Sequence, residues 1–173
     1  NNSLTEAIDN NLAPIITISY GLCETLVDSY YNINTFNQLL EQANAEGITV
    51  ISAAGDSGAT DCDVTGLASE GLAVDFPGGS PYVVAAGGTM FSGDVNNVST
   101  YWNSSNSTST GTYISSAKSY IPESVWNEAN SSTGLTAGGA GGGGASAYFA
   151  KPAWQTGTGV PNDGSRDVPD FSM

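Results

Sequence analysis

The sequence predicts an α/β fold built on a mainly parallel β-sheet. Three observations point there. Two apolar, β-branched runs, Ala13–Ser19 and Ile48–Ala53, read as buried strands. Between them, Phe36, Leu39, Leu40 and Ala43 recur at helical spacing. A third strand-like run, Tyr82–Ala86, follows after a loop. Strand, helix, strand, loop, strand implies parallel pairing, with helices packed on the sheet.

Each element has its own signals. Leu4, Ala7 and Ile8 place one apolar face on a short helix over 4–11. The first strand stops at Tyr20-Gly21. Asn34 is read as the cap of the next helix, and Gly47 as its end. The second strand ends at Gly55-Asp56 and the third at Gly87-Gly88. Ligands of parallel sheets bind beyond the carboxyl ends of the strands, so these three turns mark the expected site edge. The second half is less regular. Asn96–Thr112 is rich in Ser, Asn and Thr and reads as an exposed excursion, with a hairpin expected around Tyr101-Trp102. Trp126 is read as a core residue. Gly138–Gly144 holds six glycines interrupted by Ala140. Dense aromatics follow it, so a tight, packed glycine turn is expected there in preference to a flexible linker. The 173 residues suit one domain with its own core.

Composition narrows the function. Asp and Glu total 17 against 3 Lys and Arg, a net charge of −14. Such a surface repels phosphate, so neither nucleic acid nor an anionic membrane is an expected partner. The charge fits general solubility at neutral pH, and it also fits life in acid, where carboxylates protonate and little positive repulsion builds up. No apolar stretch is long enough to span a membrane. Cys23 and Cys62 fall just past the first two strands, where a disulfide is geometrically reasonable, and a bridge implies an extracellular, secreted protein. The sequons at Asn1, Asn97, Asn103, Asn106 and Asn130 are what so much Asn, Ser and Thr yields by chance.

The sequence has no histidine. Ser-His-Asp and Cys-His sites cannot be built from it, nor can a histidine-based zinc site. Two cysteines are too few for a cysteine-only metal site, and no phosphate-binding glycine motif is present. Carboxylate and hydroxyl chemistry remains. Asp56 stands out because it follows a buried strand inside a Gly-Asp-Ser-Gly turn, although an Asp in a turn often does no more than cap it.

Motifs in order then carry a resemblance. Ala53-Ala54-Gly55-Asp56 is similar to the Ala-Ala-Gly-Asn turn of subtilisin-like peptidases, with Asp where they place the oxyanion-hole Asn. Ile16–Glu24, Phe76–Thr89, Val125–Glu128, the glycine run to Ser146, Phe149–Gln155 and Arg166–Ser172 continue the series. Together they resemble the sedolisin family of serine-carboxyl peptidases, over roughly residues 4–173. The resemblance implies a subtilisin-like three-layer α/β fold, here incomplete, with 1–173 as the central part of a single peptidase domain. It implies Asp56 as an oxyanion-hole donor, and Ser19, Tyr20, Gly21 and Gly55 as contacts to a peptide or protein substrate.

The departures are equally specific. The family's Glu-x-x-x-Asp pair would lie before Asn1, and Glu6 and Asp9 have the wrong spacing and place. The Gly-Thr-Ser nucleophile segment would follow Met173. The chain alone is therefore expected to be inactive. The family's calcium site would also lie beyond Met173, so no metal or cofactor is expected in these residues. Ser146 sits in Gly-Ala-Ser-Ala-Tyr, which is not a nucleophile elbow. Other readings are a non-catalytic peptidase-like scaffold and an unrelated extracellular binding module. A chain cut through such a fold is expected to self-associate through open edges.

Overall fold

The computed structural model describes residues 2–109, 112–129, 132 and 139–173. Helix α1 (Asn2–Asp9) precedes strand β1 (Ile15–Ile18). Strand β2 (Leu22–Cys23), helix α2 (Glu24–Tyr31) and helix α3 (Ile33–Ala45) lead into β3 (Thr49–Ala53). Strand β4 (Asp75–Phe76) precedes β5 (Val83–Gly87). The main sheet has four strands in the order β1-β3-β5-β12, where β12 is Phe171–Ser172. Every pairing in it is parallel, with Ile18 beside Ser52 and Ser52 beside Ala85. The α/β fold read from the sequence is present.

The core follows from the pleat. Val50 and Val83 point to one face, where Ile8, Val27, Ile33, Leu40 and Ala43 of the three helices bury them. Phe76 joins this cluster and makes edge contact with Phe36, with ring centroids 5.2 Å apart. A smaller cluster of Ala54, Val74, Ala85 and Val168 lies near the carboxyl ends of the strands.

The second half hangs on that sheet. Strand β6 (Thr89–Met90) pairs with β9 (Ser124–Val125). Helix α4 (Val98–Tyr101) leads into a ribbon of β7 (Trp102–Ser109) and β8 (Thr112–Ala117). Strand β10 (Gly144–Ala150) pairs antiparallel with β11 (Ser165–Val168).

Four local readings change. The cap of α3 is Asn32, not Asn34: its side chain accepts from the N–H groups of Asn34 and Thr35 at 3.2 and 3.4 Å. The hairpin starts at Trp102 and extends beyond it, because Trp102 opens a strand and is not part of the turn. Trp126 is half-buried; it lies over the backbone of Gly88 and donates its indole N–H to Glu128. The described part of the glycine run, 139–144, is extended and not a tight turn.

Candidate active site

The parallel sheet brings two turns to one edge. Strand β1 delivers Ser19-Tyr20-Gly21, and β3 delivers Gly55-Asp56, because paired parallel strands end side by side. Ser19, Tyr20, Gly21, Gly55 and Asp56 line one cleft of about 280 Å³, together with Asp61 and Asp75. Asp56 is exposed to the cleft, and Tyr20 is 79 % exposed at its mouth. Gly55 has φ +106°, a conformation that side chains rarely adopt, so glycine there lets the chain turn directly off β3.

The glycine run is what holds the Asp56 turn. The N–H of Ala140 donates to the Asp56 carbonyl at 2.9 Å, and the N–H of Gly142 to the Gly55 carbonyl at 2.8 Å. The Gly58 N–H returns a bond to the Ala140 carbonyl at 3.0 Å. A methyl group on Gly142 would fall 2.1 Å from the Ala54 carbonyl oxygen, so only glycine permits this approach. From the other side, the expected Cys23–Cys62 disulfide ties β2 to the loop after the turn, with Cα atoms 5.0 Å apart.

Beneath the cleft lies a cluster of carboxyl groups that the sequence reading missed. Asp61 and Asp75 are 5 % and 7 % exposed. Burial pushes the Asp75 carboxyl up to about 8, reinforced by the charge of Asp61, a hydrogen bond with it, and the charge of Asp56. Burial raises Asp61 as well, against a lowering hydrogen bond with Asp75. Glu24 is also buried and raised for that reason, although it accepts from the Ser146 hydroxyl and the Ala147 N–H, both at 2.7 Å. Ser146 is thus a buried link between β10 and α2. Its oxygen also accepts from the N–H groups of Tyr148 and Phe149, which is a structural role and not that of an exposed nucleophile.

A larger apolar cleft of about 810 Å³ borders the site at Tyr20-Gly21 and runs along β1 past Leu4, Ile16, Ile18, Tyr30 and Phe36. Among the described residues, no group of three or more acidic or cysteine side chains has an arrangement that would hold a metal ion. No helix among them is long and apolar enough to cross a membrane.

The geometry defines an α/β protein with a carboxylic acid at the end of a central parallel strand, beside an exposed backbone edge. Comparison with known proteins places that class. Sedolisin from Pseudomonas sp. (strain 101) is 31 % identical over 173 residues, covering 99 % of this chain and 25 % of that protein. Kumamolisin from Bacillus sp. (strain MN-32) is 35 % identical over 181 residues, covering 99 % of this chain and 26 % of that protein. Human tripeptidyl-peptidase 1 is 40 % identical over 83 residues, which is 48 % of this chain and 14 % of that protein. A solved structure of Pseudomonas sedolisin, a serine-carboxyl proteinase complexed with two molecules of pseudo-iodotyrostatin, superposes with a TM-score of 0.67 at 30 % identity. That match covers 98 % of this chain and 40 % of the sedolisin chain. No family model matches. The chain belongs to the sedolisin family and carries part of its subtilisin-like α/β fold. It spans about a quarter of the length of the sedolisin and kumamolisin sequences it matches.

Proposed function

We propose that this chain is the central part of a secreted serine-carboxyl endopeptidase that hydrolyses peptide bonds in acid. The observation that carries this reading is the position of Asp56, exposed at the carboxyl end of β3 and facing the Ser19-Tyr20-Gly21 edge across one cleft. A peptide laid along that edge brings a carbonyl oxygen toward Asp56. A protonated carboxyl donates a hydrogen bond to the oxyanion of the tetrahedral intermediate. An ionised one repels it, so activity falls as pH rises. The attacking serine, its glutamate base and the aspartate that orients the base come from outside these residues, and the 173 residues alone do not cleave peptides. The disulfide and the sparse basic side chains support an extracellular setting.

The test uses the full-length gene product and a peptide substrate across an acid-to-neutral pH series. Asp56→Ala lowers kcat by roughly 10²–10³, the usual loss for one oxyanion donor. Asp56→Asn keeps a donor at every pH and extends activity toward neutrality, at a lower maximum. An unchanged pH profile in Asp56→Asn refutes the oxyanion role.

A further inference from the structure

We propose that Asn106 carries an N-linked glycan, and that this sugar covers the open edges of the β7–β8 ribbon. The inference goes beyond the peptidase reading. It rests on the secreted setting in that reading and not on the chemistry at Asp56.

The ribbon is held at its base. The Trp102 indole N–H donates to Asp94 at 2.9 Å, and the Lys118 N–H to the Tyr101 carbonyl at 2.7 Å. Beyond that base β7 and β8 pair with each other, and among the described residues neither has a second neighbouring strand. A two-stranded ribbon is marginal on its own and presents an open edge on each side. Proteins commonly guard such edges with charged side chains or proline. Here the chain carries a net charge of −14, yet the stretch 95–117 contains no Asp, Glu, Lys, Arg or Pro. Asn103, Ser104, Ser105 and Asn106 of β7 are all exposed. The ribbon therefore needs another kind of cover.

Composition explains how many Asn-x-Ser/Thr sequons the chain has, and the fold separates them. Asn1 and Asn130 lie outside the described residues. Asn97, Asn103 and Asn106 fall on this one excursion, and all three are exposed. Asn97 Nδ2 donates to the Gly93 carbonyl at 2.9 Å, and Asn103 Nδ2 to the Ser116 carbonyl at 3.2 Å. Asn106 Nδ2 donates to no atom among the described residues. Thr108 completes its sequon. Sugar transfer joins Nδ2 to C1 of a saccharide held on a polyprenyl phosphate or diphosphate. The C1–O bond to phosphate breaks, the phosphorylated carrier leaves with the bonding electrons, and Nδ2 loses one proton. A single N–H remains. At Asn97 and Asn103 the sugar crowds a bond that the fold uses, whereas at Asn106 it meets open solvent. A surface glycan is bulky and solubilising. Its hydroxyl groups stay hydrated in acid, where carboxylates lose their charge.

The experiment uses the full-length protein recovered from cultures of the organism that makes it. Intact mass and fragmentation of the peptide spanning Asn106 locate the sugar on the wild type. The expected result is a glycan at Asn106, lost from the intact mass in Asn106→Gln and kept in Asn103→Gln. Light scattering in acid then reads the cover: the wild type stays dispersed and Asn106→Gln associates. An unmodified Asn106 in protein from the medium overturns the site and leaves the secreted peptidase reading intact. Unmodified protein held inside the cells overturns the secreted setting and the site together. A glycan whose loss leaves scattering unchanged overturns the covering role. Glycosylated protein that hydrolyses no peptide overturns the peptidase reading and leaves the site.

Discussion

Arg166 is the largest fully buried side chain, and each of its five N–H groups has an acceptor. Nε reaches the Ser80 carbonyl, Nη1 the Asp167 carbonyl and Asp170, and Nη2 the Val83 carbonyl and Asp170. Its guanidinium also lies 4.9 Å from the ring centre of Trp154. Asp170 in turn accepts from the Ala85 N–H at 2.7 Å, so one ion pair joins β11 to β5. Arg166→Ala removes the cation from Asp170, which keeps the Ala85 N–H, and takes one donor from each of the Ser80 and Val83 carbonyls. We expect a loss of about 3–5 kcal/mol in urea unfolding, and Arg166→Lys does not restore it, since an ammonium cannot make the bidentate fork. Linkage at Asp75 is the second residue-scale effect. Its folded value, about 8, lies above the ordinary 3.8 of a free aspartate, so at intermediate pH the folded state holds a proton that the unfolded state has released. That contribution is complete below about 3.8 and is lost as pH rises through about 8. The sequence showed where Asp56, Ser19 and Gly21 would meet, because each follows a readable strand. It did not show Asp61 and Asp75, whose nearness depends on a loop fold and a two-residue strand with no periodicity.

At the level of elements, the glycine run is a spacer of fixed thickness. Extended backbone whose one side chain is the Ala140 methyl runs between the Asp56 turn and Trp126, bonding Gly55, Asp56 and Gly58 on one side and the Trp126 carbonyl on the other. Gly142→Ala places a carbon against the Ala54 carbonyl and must displace one backbone or the other. We expect a destabilisation of about 1–3 kcal/mol by urea unfolding, as for other overpacked sites. In the full-length protein, kcat falls more than KM changes, because Asp56 moves with the turn. Strands β1, β3 and β5 and helix α3 were legible because each carries a sustained apolar pattern. Helix α2 was not: only Glu24 and Val27 of its residues are buried, while Tyr30 and Tyr31 stay 68 % and 64 % exposed. Two inward positions make no repeat to read. Strands β10 and β11 were hidden for a related reason. Their inward residues include Ser146 and Arg166, polar groups whose burial is justified by partners far away in sequence.

Across the whole molecule, charge and exposed edges oppose each other. Strand β1 is an edge of the main sheet, and Leu12, Ile15 and Tyr30 beside it are all more than half exposed. An open strand edge with apolar neighbours favours association, whereas a net charge of −14 opposes it at neutral pH. Acid protonates carboxyl groups, and the repulsion weakens. The 173-residue chain should therefore be more oligomeric in acid than at neutrality, as light scattering behind size-exclusion chromatography would show. A monomer at both pH values throughout the concentration range would contradict this. The disulfide has a different whole-molecule consequence. Cys23 and Cys62 are 39 residues apart, so the bond closes the chain into a ring that threads α2, α3, β3 and the Asp56 turn. Closing a ring of that size stabilises by about 4 kcal/mol on a chain-entropy estimate. A ring must also be cut twice before it releases a piece. In a solution of protein-cutting enzymes, a first nick at the exposed junction of α2 and α3, Tyr31-Asn32, leaves both new ends tethered, and Asp56 stays attached to the strand it faces.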